Sequence, residues 1–289
     1  MVALDGDWCA AHPLPKIESG SDKNSRGRVL LVGGARFVPG ALALTGEAVL
    51  RVGAGKLQMA TVEAVALALG VLVPEAAMVG LPMRKDGEIA QEGVAVLADL
   101  VPQCDVLLVG PGMSATSETG LFVQGLLSLS PPALLLDAAA LTCAEPSELA
   151  TAAAKLPLVL TPHHGEMARL MGGDPQDIID NPAAMLADLV QRTGAFVALK
   201  GPETWIAGPG APILHFAGGC PGLGIGGSGD VLAGIIGGLI ARGTSPFVAI
   251  AWGVALHGAA GQLAASEIGA IGFLARELLP RIPRMLEIL

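Results

Sequence analysis

The strongest constraint on the fold of this chain is a recurring run of apolar residues with no polar side. Segments such as Val29-Leu30-Leu31-Val32 and Val106-Leu107-Leu108-Val109 do not alternate, so a strand made from either must be covered on both faces. Helix-length stretches separate these runs, the pattern of βα units laid into one sheet. Strands are expected at Arg28–Val32, Leu57–Thr61, Ala76–Val79, Asp105–Val109, Ala133–Leu136, Leu158–Leu160 and Phe196–Leu199. A hairpin of Thr204–Ala207 and Ile213–His215 follows, turned around Gly208-Pro209-Gly210. Helices are expected at Pro39–Val52, Glu88–Leu100, Glu118–Ser128, Gly165–Met171, Pro182–Thr193, Ser228–Arg242, Pro246–Ser266 and Phe273–Leu289. The fold class is therefore α/β, with a mostly parallel central sheet and helices on both faces. A length of 289 residues admits two domains, but no linker, repeat or low-complexity tract divides the chain. The expectation is a loose N-terminal arm over residues 1–25 and a single catalytic domain over 26–289.

Charge narrows the partners. Seventeen Lys and Arg stand against 26 Asp and Glu, and the net charge of −9 repels nucleic-acid phosphates and anionic lipid. No nucleic-acid partner is expected. Mean hydropathy is +0.61 and residues 243–266 carry no formal charge, yet Pro246, His257, Gln262 and four glycines interrupt that stretch. It reads as a buried helix rather than a membrane span. The N-terminus has acids where a signal peptide needs bases, so the expected location is the cytoplasm. Cys9, Cys104, Cys143 and Cys220 show no C-x-x-C pair and no metal-ligand spacing.

The segment most suggestive of chemistry is Gly218-Gly219-Cys220-Pro221-Gly222-Leu223-Gly224-Ile225-Gly226-Gly227-Ser228-Gly229-Asp230, which runs straight into an apolar helix. Such a loop leaves backbone N–H groups open at a helix N-terminus, where the helix dipole favours phosphate. Gly227, Ser228 and Gly229 are the expected anion hole. Asp230 is either an N-terminal helix acid or a base that takes a proton from a hydroxyl attacking a phosphoryl group. Residues 222–227 also satisfy G-x-G-x-x-G, but the acid follows after three residues rather than about twenty, which argues against a dinucleotide fingerprint. There is no G-x-x-x-x-G-K-[ST].

Other candidates lie at expected strand ends, where open α/β sheets bind ligands. Gly33, Gly34 and Ala41 would let a large substrate approach the backbone. Gly110-Pro111-Gly112 follows one strand, Thr161-Pro162-His163 another, and Lys200-Gly201 a third, where the amine could neutralise nucleotide phosphate. Glu166 could cap the following helix or serve a metal or phosphate.

Taken together these motifs are specific. The Gly-Gly-Ser-Gly-Asp loop resembles the signature of the ribokinase-like superfamily, and within it the chain resembles the ADP-dependent NAD(P)H-hydrate dehydratases. Lys23 to Thr61, Gly110 to Met113, Leu136-Asp137-Ala138, Leu160 to Met167, Leu199-Lys200-Gly201 with Thr204, and Gly226 to Gly234 carry the resemblance in the family's order. It implies dehydration of hydrated NADH or NADPH, coupled to conversion of ADP (or ATP as an alternative co-substrate) to AMP and phosphate. By resemblance Asp230 is the catalytic base. Ala41, Gly112, His163 and Asp230 would bind the hydrate, and Lys200, Gly201, Thr204 and Gly229 the nucleotide. Mg²⁺ is expected from phosphoryl chemistry, with no ligand set to name. The chain is expected to be a homo-oligomer, and no epimerase activity is expected of it. Departures from the family pattern are Ala139, Cys220 and Ile225, where an acid, Asn and Thr are frequent, and Asp22, where His is usual. The competing reading is a small-molecule kinase of the sugar or thiazole type, since the phosphate loop alone does not separate transfer from elimination. A non-catalytic nucleotide sensor is the third.

Overall fold

The computed structural model describes residues 1–17 and 20–289. Its strands are β1 (Val2–Ala3), β2 (Arg28–Val32), β3 (Lys56–Val62), β4 (Ala77–Leu81), β5 (Val106–Val109), β6 (Leu134–Leu136), β7 (Leu158–Leu160), β8 (Phe196–Leu199), β9 (Thr204–Ala207) and β10 (Leu214–Phe216). They form one sheet in the order β1-β10-β9-β8-β7-β6-β5-β2-β3-β4. All neighbours from β8 through β4 are parallel, whereas β9 is antiparallel to both β8 and β10. The seven expected strands and the hairpin are all present.

The unbroken apolar runs are explained by two cores. Val29, Leu31, Val106, Leu108, Leu135, Val159 and Ala198 point to one face, which is covered by helices Gly40–Arg51, Ser228–Ala241 and Pro246–Glu267. Their neighbours Leu30, Val32, Leu107, Val109, Leu134, Leu136, Leu158, Leu160, Val197 and Leu199 point to the other, under helices such as Ser117–Leu127 and Pro182–Thr193. The period of two is thus present but hidden, because both destinations are apolar. Helix Pro246–Glu267 is long and apolar enough to cross a membrane, and 67% of its most apolar stretch is buried inside the protein. It forms part of the first core.

Seven elements differ from expectation, among them helices Ala138–Thr142, Pro146–Ala153 and Pro175–Asp180, none of which was expected. The N-terminal arm is not loose over its first residues: β1 pairs with β10, and helix Gly6–Ala11 buries Trp8 and Cys9. Trp8 stacks on His12, whose carbonyl accepts the Trp252 indole N–H at 2.7 Å. The helix expected at Glu88–Leu100 is confined to Gly93–Ala98, because Met83 and Ile89 bridge across a turn with Gly87 at φ +90°. Phe273–Leu289 breaks into 3-10 turns at Ala275–Glu277 and Leu279–Arg281 before helix Ile282–Ile288, and the last two pieces each carry a proline in the first turn. Helix Glu63–Leu72 was not expected.

The chain runs β2-β3-β4 outward on one side, then returns to place β5 on the other side of β2. The carboxyl ends of β2 and β5 therefore flank a topological switch point, where open α/β sheets bind ligands. Gly33-Gly34 leaves β2 there and Gly110-Pro111-Gly112 leaves β5. The Gly34 N–H donates to the Pro111 carbonyl at 2.7 Å. Gly112 has φ +72°, and a β-carbon on it would come within 3.1 Å of the Ala41 methyl and 2.6 Å of the Val38 carbonyl.

Candidate active site

At the ends of β6, β7 and β8 the chain places three carboxylates around one ammonium. Lys200 Nζ lies 2.7 Å from Asp137 Oδ1 and 4.0 Å from Glu166 Oε2. Asp137 is buried and also accepts the Thr161 hydroxyl at 2.7 Å. The third carboxylate, Asp230, sits in the first turn of helix Ser228–Ala241. Burial, and then the nearby Asp137 charge, push its carboxyl up to about 6, although Lys200 opposes the shift. Burial would lower the Lys200 ammonium, but Asp137 and Glu166, with Asp230 behind them, outweigh it and hold the charge on. The arrangement is a carboxylate poised near neutrality beside a fixed positive charge, which suits a proton acceptor at a phosphoryl centre.

The start of helix Ser228–Ala241 is where an anion hole was expected, and its backbone differs from that expectation at one residue. Gly227 is the N-cap at φ +91°, and a β-carbon there would lie 2.6 Å from Leu44, so the turn requires glycine. The Ser228 N–H is already donated to the Ile225 carbonyl at 3.2 Å, because the loop closes a turn just before the helix. Of the expected anion hole, Gly227 and Gly229 keep open N–H groups among the described residues, and Gly226 and Asp230 join them. Ser228 contributes its side chain to a different contact: Oγ pairs with His257 Nε2 at 3.0 Å. Burial pushes the His257 imidazole down to about 4, so it is neutral. Sequence reading passed over His257, which stands alone in an apolar helix and declares nothing by spacing. Only the fold brings it to Ser228.

Two cavities meet at this centre. The larger, of about 810 Å³, is lined by the polar Lys200, Thr204 and Ser228 with Gly201 and Gly229, and by the apolar Phe216, Leu223, Ile225, Leu232 and Val254. Its size and its mixture of polar and apolar lining suit a nucleotide. Cys220 and Ile225 line it, so both departures in the loop face the ligand space. The smaller, of about 330 Å³, is lined by Met113, Ala138, Ala139, His163, Glu166 and Arg169 among others. His163 borders both. Asp230 itself lines neither cavity, but it is near enough to Lys200 in the wall of one and Glu166 in the wall of the other for both charges to act on its ionisation. Ala41 and Gly112 meet each other at the switch point but line neither cavity.

His163 has a local task as well. It caps helix His164–Met171: Nδ1 accepts the Glu166 N–H at 3.1 Å, and the Glu166 carboxylate accepts the His163 N–H at 2.8 Å. Glu166 therefore fills the capping role foreseen for it. The two roles of His163 separate by substitution. His163→Asn keeps a capping acceptor and His163→Ala does not, so the alanine variant alone should lose about 1 kcal/mol in chemical denaturation. Both should show a raised KM for a ligand that needs the imidazole.

Among the described residues no group of three or more His, Cys, Asp or Glu is arranged to hold a metal ion. Asp137, Glu166 and Asp230 converge, but the Lys200 ammonium already lies among them. These residues do not fit a protein-held cation.

Residues 29–284 match the family model described as NAD(P)H-hydrate dehydratase. The chain is 43% identical over 277 residues to the ADP-dependent (S)-NAD(P)H-hydrate dehydratase of Xanthomonas campestris pv. campestris, covering 96% of this chain and 93% of that one. It also matches bifunctional NAD(P)H-hydrate repair enzymes, spanning about half their length, 53% in the case of one that is 36% identical. Among solved structures, an ADP/ATP-dependent NAD(P)H-hydrate dehydratase from Bacillus subtilis, co-crystallised with ATP and Mg²⁺, superposes with a TM-score of 0.86 at 29% identity, covering 99% of this chain and 98% of that one. A ribokinase-like superfamily protein from Enterococcus faecalis superposes with a TM-score of 0.80 at 28% identity, covering 95% and 92%. With its glycine-rich helix start, its Lys200 centre and these likenesses along nearly its whole length, the chain belongs to the NAD(P)H-hydrate dehydratase family and has a ribokinase-like fold.

Proposed function

We propose that this protein dehydrates hydrated NADH and NADPH, converting ADP to AMP and phosphate in the same cycle. The observation that carries the reading is Asp230: a carboxyl raised to about 6, in the first turn of helix Ser228–Ala241 and next to Gly229 in the wall of the nucleotide-sized cavity. Asp230 takes the proton of the hydrate's hydroxyl, and the freed oxygen attacks the terminal phosphorus of ADP as the bond to AMP breaks. The N–H groups of Gly227 and Gly229, with Lys200, offset the charge on the transferring group. Water is a poor leaving group and phosphate a good one. The ring nitrogen expels it, the adjacent ring carbon loses a proton, and the reduced nicotinamide is restored. Lys200, Gly201, Thr204 and Gly229 hold the nucleotide, while Ala41, Gly112 and His163 hold the hydrate. Mg²⁺ belongs to this reading as a companion of the nucleotide phosphates, because such an ion keeps few protein ligands. ATP serves in place of ADP in the same cavity.

The test is incubation of the protein with chemically prepared hydrate and ADP, following the return of reduced-nicotinamide absorbance together with AMP and phosphate. Phosphate retained on an organic product would identify a kinase instead, and binding without turnover a sensor. The rate–pH profile gives a further check. The base form of Asp230 is lost as pH falls through about 6, so kcat/KM should drop about tenfold per pH unit below that point. A profile flat to pH 5 would remove Asp230 from this role.

The cytoplasm is the compartment where such a cofactor-repair reaction has its substrates. Assembly as a homo-oligomer is part of the same reading, supported by exposed Leu67, Val71 and Leu72 on helix Glu63–Leu72, and light scattering of the purified protein decides it.

A further inference from the structure

We infer that the smaller cavity is a phosphate subsite for the hydrated dinucleotide, anchored by Arg169. The inference rests on the function proposed above. The cavity opens between Met113, next to Gly112, and His163, the two places where the backbone and a side chain are expected to meet the hydrate. Its volume of about 330 Å³ is less than half that of the nucleotide cavity, so it suits a part of the substrate rather than the whole. Ala138 and Ala139, which line it as well, bring no charged side chain. Its charged or titratable members are His163, Glu166 and Arg169.

The group in this lining that can take an anion is Arg169. Glu166 accepts the His163 N–H at 2.8 Å and lies 4.0 Å from the Lys200 ammonium, which screens part of its charge. Arg169 follows it by three residues in helix His164–Met171 and shares its side of the helix. Arg51, Arg84, Arg192 and Arg281 each close on a carboxylate, whereas Arg169 has no hydrogen-bond or ion-pair partner among the described residues. A guanidinium presents a planar fork that matches two phosphate oxygens at once. The hydrated dinucleotides offer that group in two places: the bridging pyrophosphate of both, and the 2′-phosphate of hydrated NADPH alone.

The experiment compares wild type, Arg169→Gln and Arg169→Lys with each hydrate at saturating ADP. Loss of a charge-assisted phosphate contact is expected to raise the hydrate KM about 10- to 100-fold in Arg169→Gln, with partial recovery in Arg169→Lys. The KM for ADP and the melting temperature should stay near wild type. An equal rise for both hydrates assigns the pyrophosphate, and a rise confined to hydrated NADPH assigns the 2′-phosphate. Either supports the subsite. Unchanged KM for both hydrates, or an equal rise in the KM for ADP, overturns it. If wild type fails to turn over either hydrate, the failure belongs to the proposed function. Calorimetric titration of the ADP-saturated protein with inorganic pyrophosphate then reads the subsite directly, supporting it if binding is seen and weakens in Arg169→Gln, and overturning it otherwise.

Discussion

Asp230→Asn should leave a folded protein that still binds ADP but dehydrates the hydrate at least about a hundredfold more slowly, because the substitution keeps the shape and removes the proton acceptor. The same variant should be more stable than wild type. A carboxyl that titrates near 6 in the folded chain and near 3.8 when free holds its proton more tightly when folded. Folding stability therefore falls as pH rises from about 4 to about 6, and at neutral pH the ionised carboxylate imposes its full cost. Asparagine removes that cost. Discounted for partial exposure, a shift of about two units corresponds to roughly 1–2 kcal/mol, so the melting temperature should rise by a few degrees at pH 7.5 and match wild type below pH 4. Loss of rate with a gain in stability would mark Asp230 as a functional group. Near-normal turnover with a loss of stability would return it to helix capping.

Lys200→Met should be the most destabilising change in the site. It leaves the buried Asp137 carboxylate with only the Thr161 hydroxyl, and removing one partner of a buried ion pair costs about 3–5 kcal/mol. ADP affinity should fall with it. Lys200 also holds the Asp230 carboxyl down, so in any Lys200→Met protein that folds, the acidic limb of the rate–pH profile should move above 6. Adding Asp137→Asn should restore most of the stability and none of the nucleotide affinity, since it removes the stranded charge without replacing the ammonium. Denaturant titration of the single and double variants measures this directly. A loss under about 1 kcal/mol in Lys200→Met would show that the pair contributes little to folding.

Much of this architecture was legible because its grammar is local. Strands buried on both faces have to be apolar throughout, and the glycine loop needs its glycines where Gly227 turns to φ +91°. What escaped depends on distant partners. Helix Glu63–Leu72 reads as a featureless apolar run because Leu67, Val71 and Leu72 remain exposed, so it lacks the polar stripe that announces a helix. Glu88 looked like a helix start, but the turn closed by Met83 and Ile89 captures it. Lys200 and Asp137 were each singled out, yet nothing in their spacing of 63 residues says that they touch. Ser228 and His257 meet only because two helices of the same core lie side by side. The expected contacts sorted unevenly. Lys200, Gly201, Thr204 and Gly229 gather in one wall, His163 spans two, and Ala41 and Gly112 stay at the switch point.

The pairing of Val2 with Leu214 joins the start of the chain to a strand that lies well beyond its midpoint. During synthesis at about 5–20 residues per second, the first segment waits roughly ten seconds or more before its partner exists. Trp8 and Cys9 spend that time without the core that later covers them. The sheet edge bearing β1 is thus the last to close, and the loop it closes is among the longest in the fold, the kind of contact that slows folding. Folding intermediates of this protein should accumulate with β1 undocked and the hydrophobic side of helix Gly6–Ala11 open to chaperones.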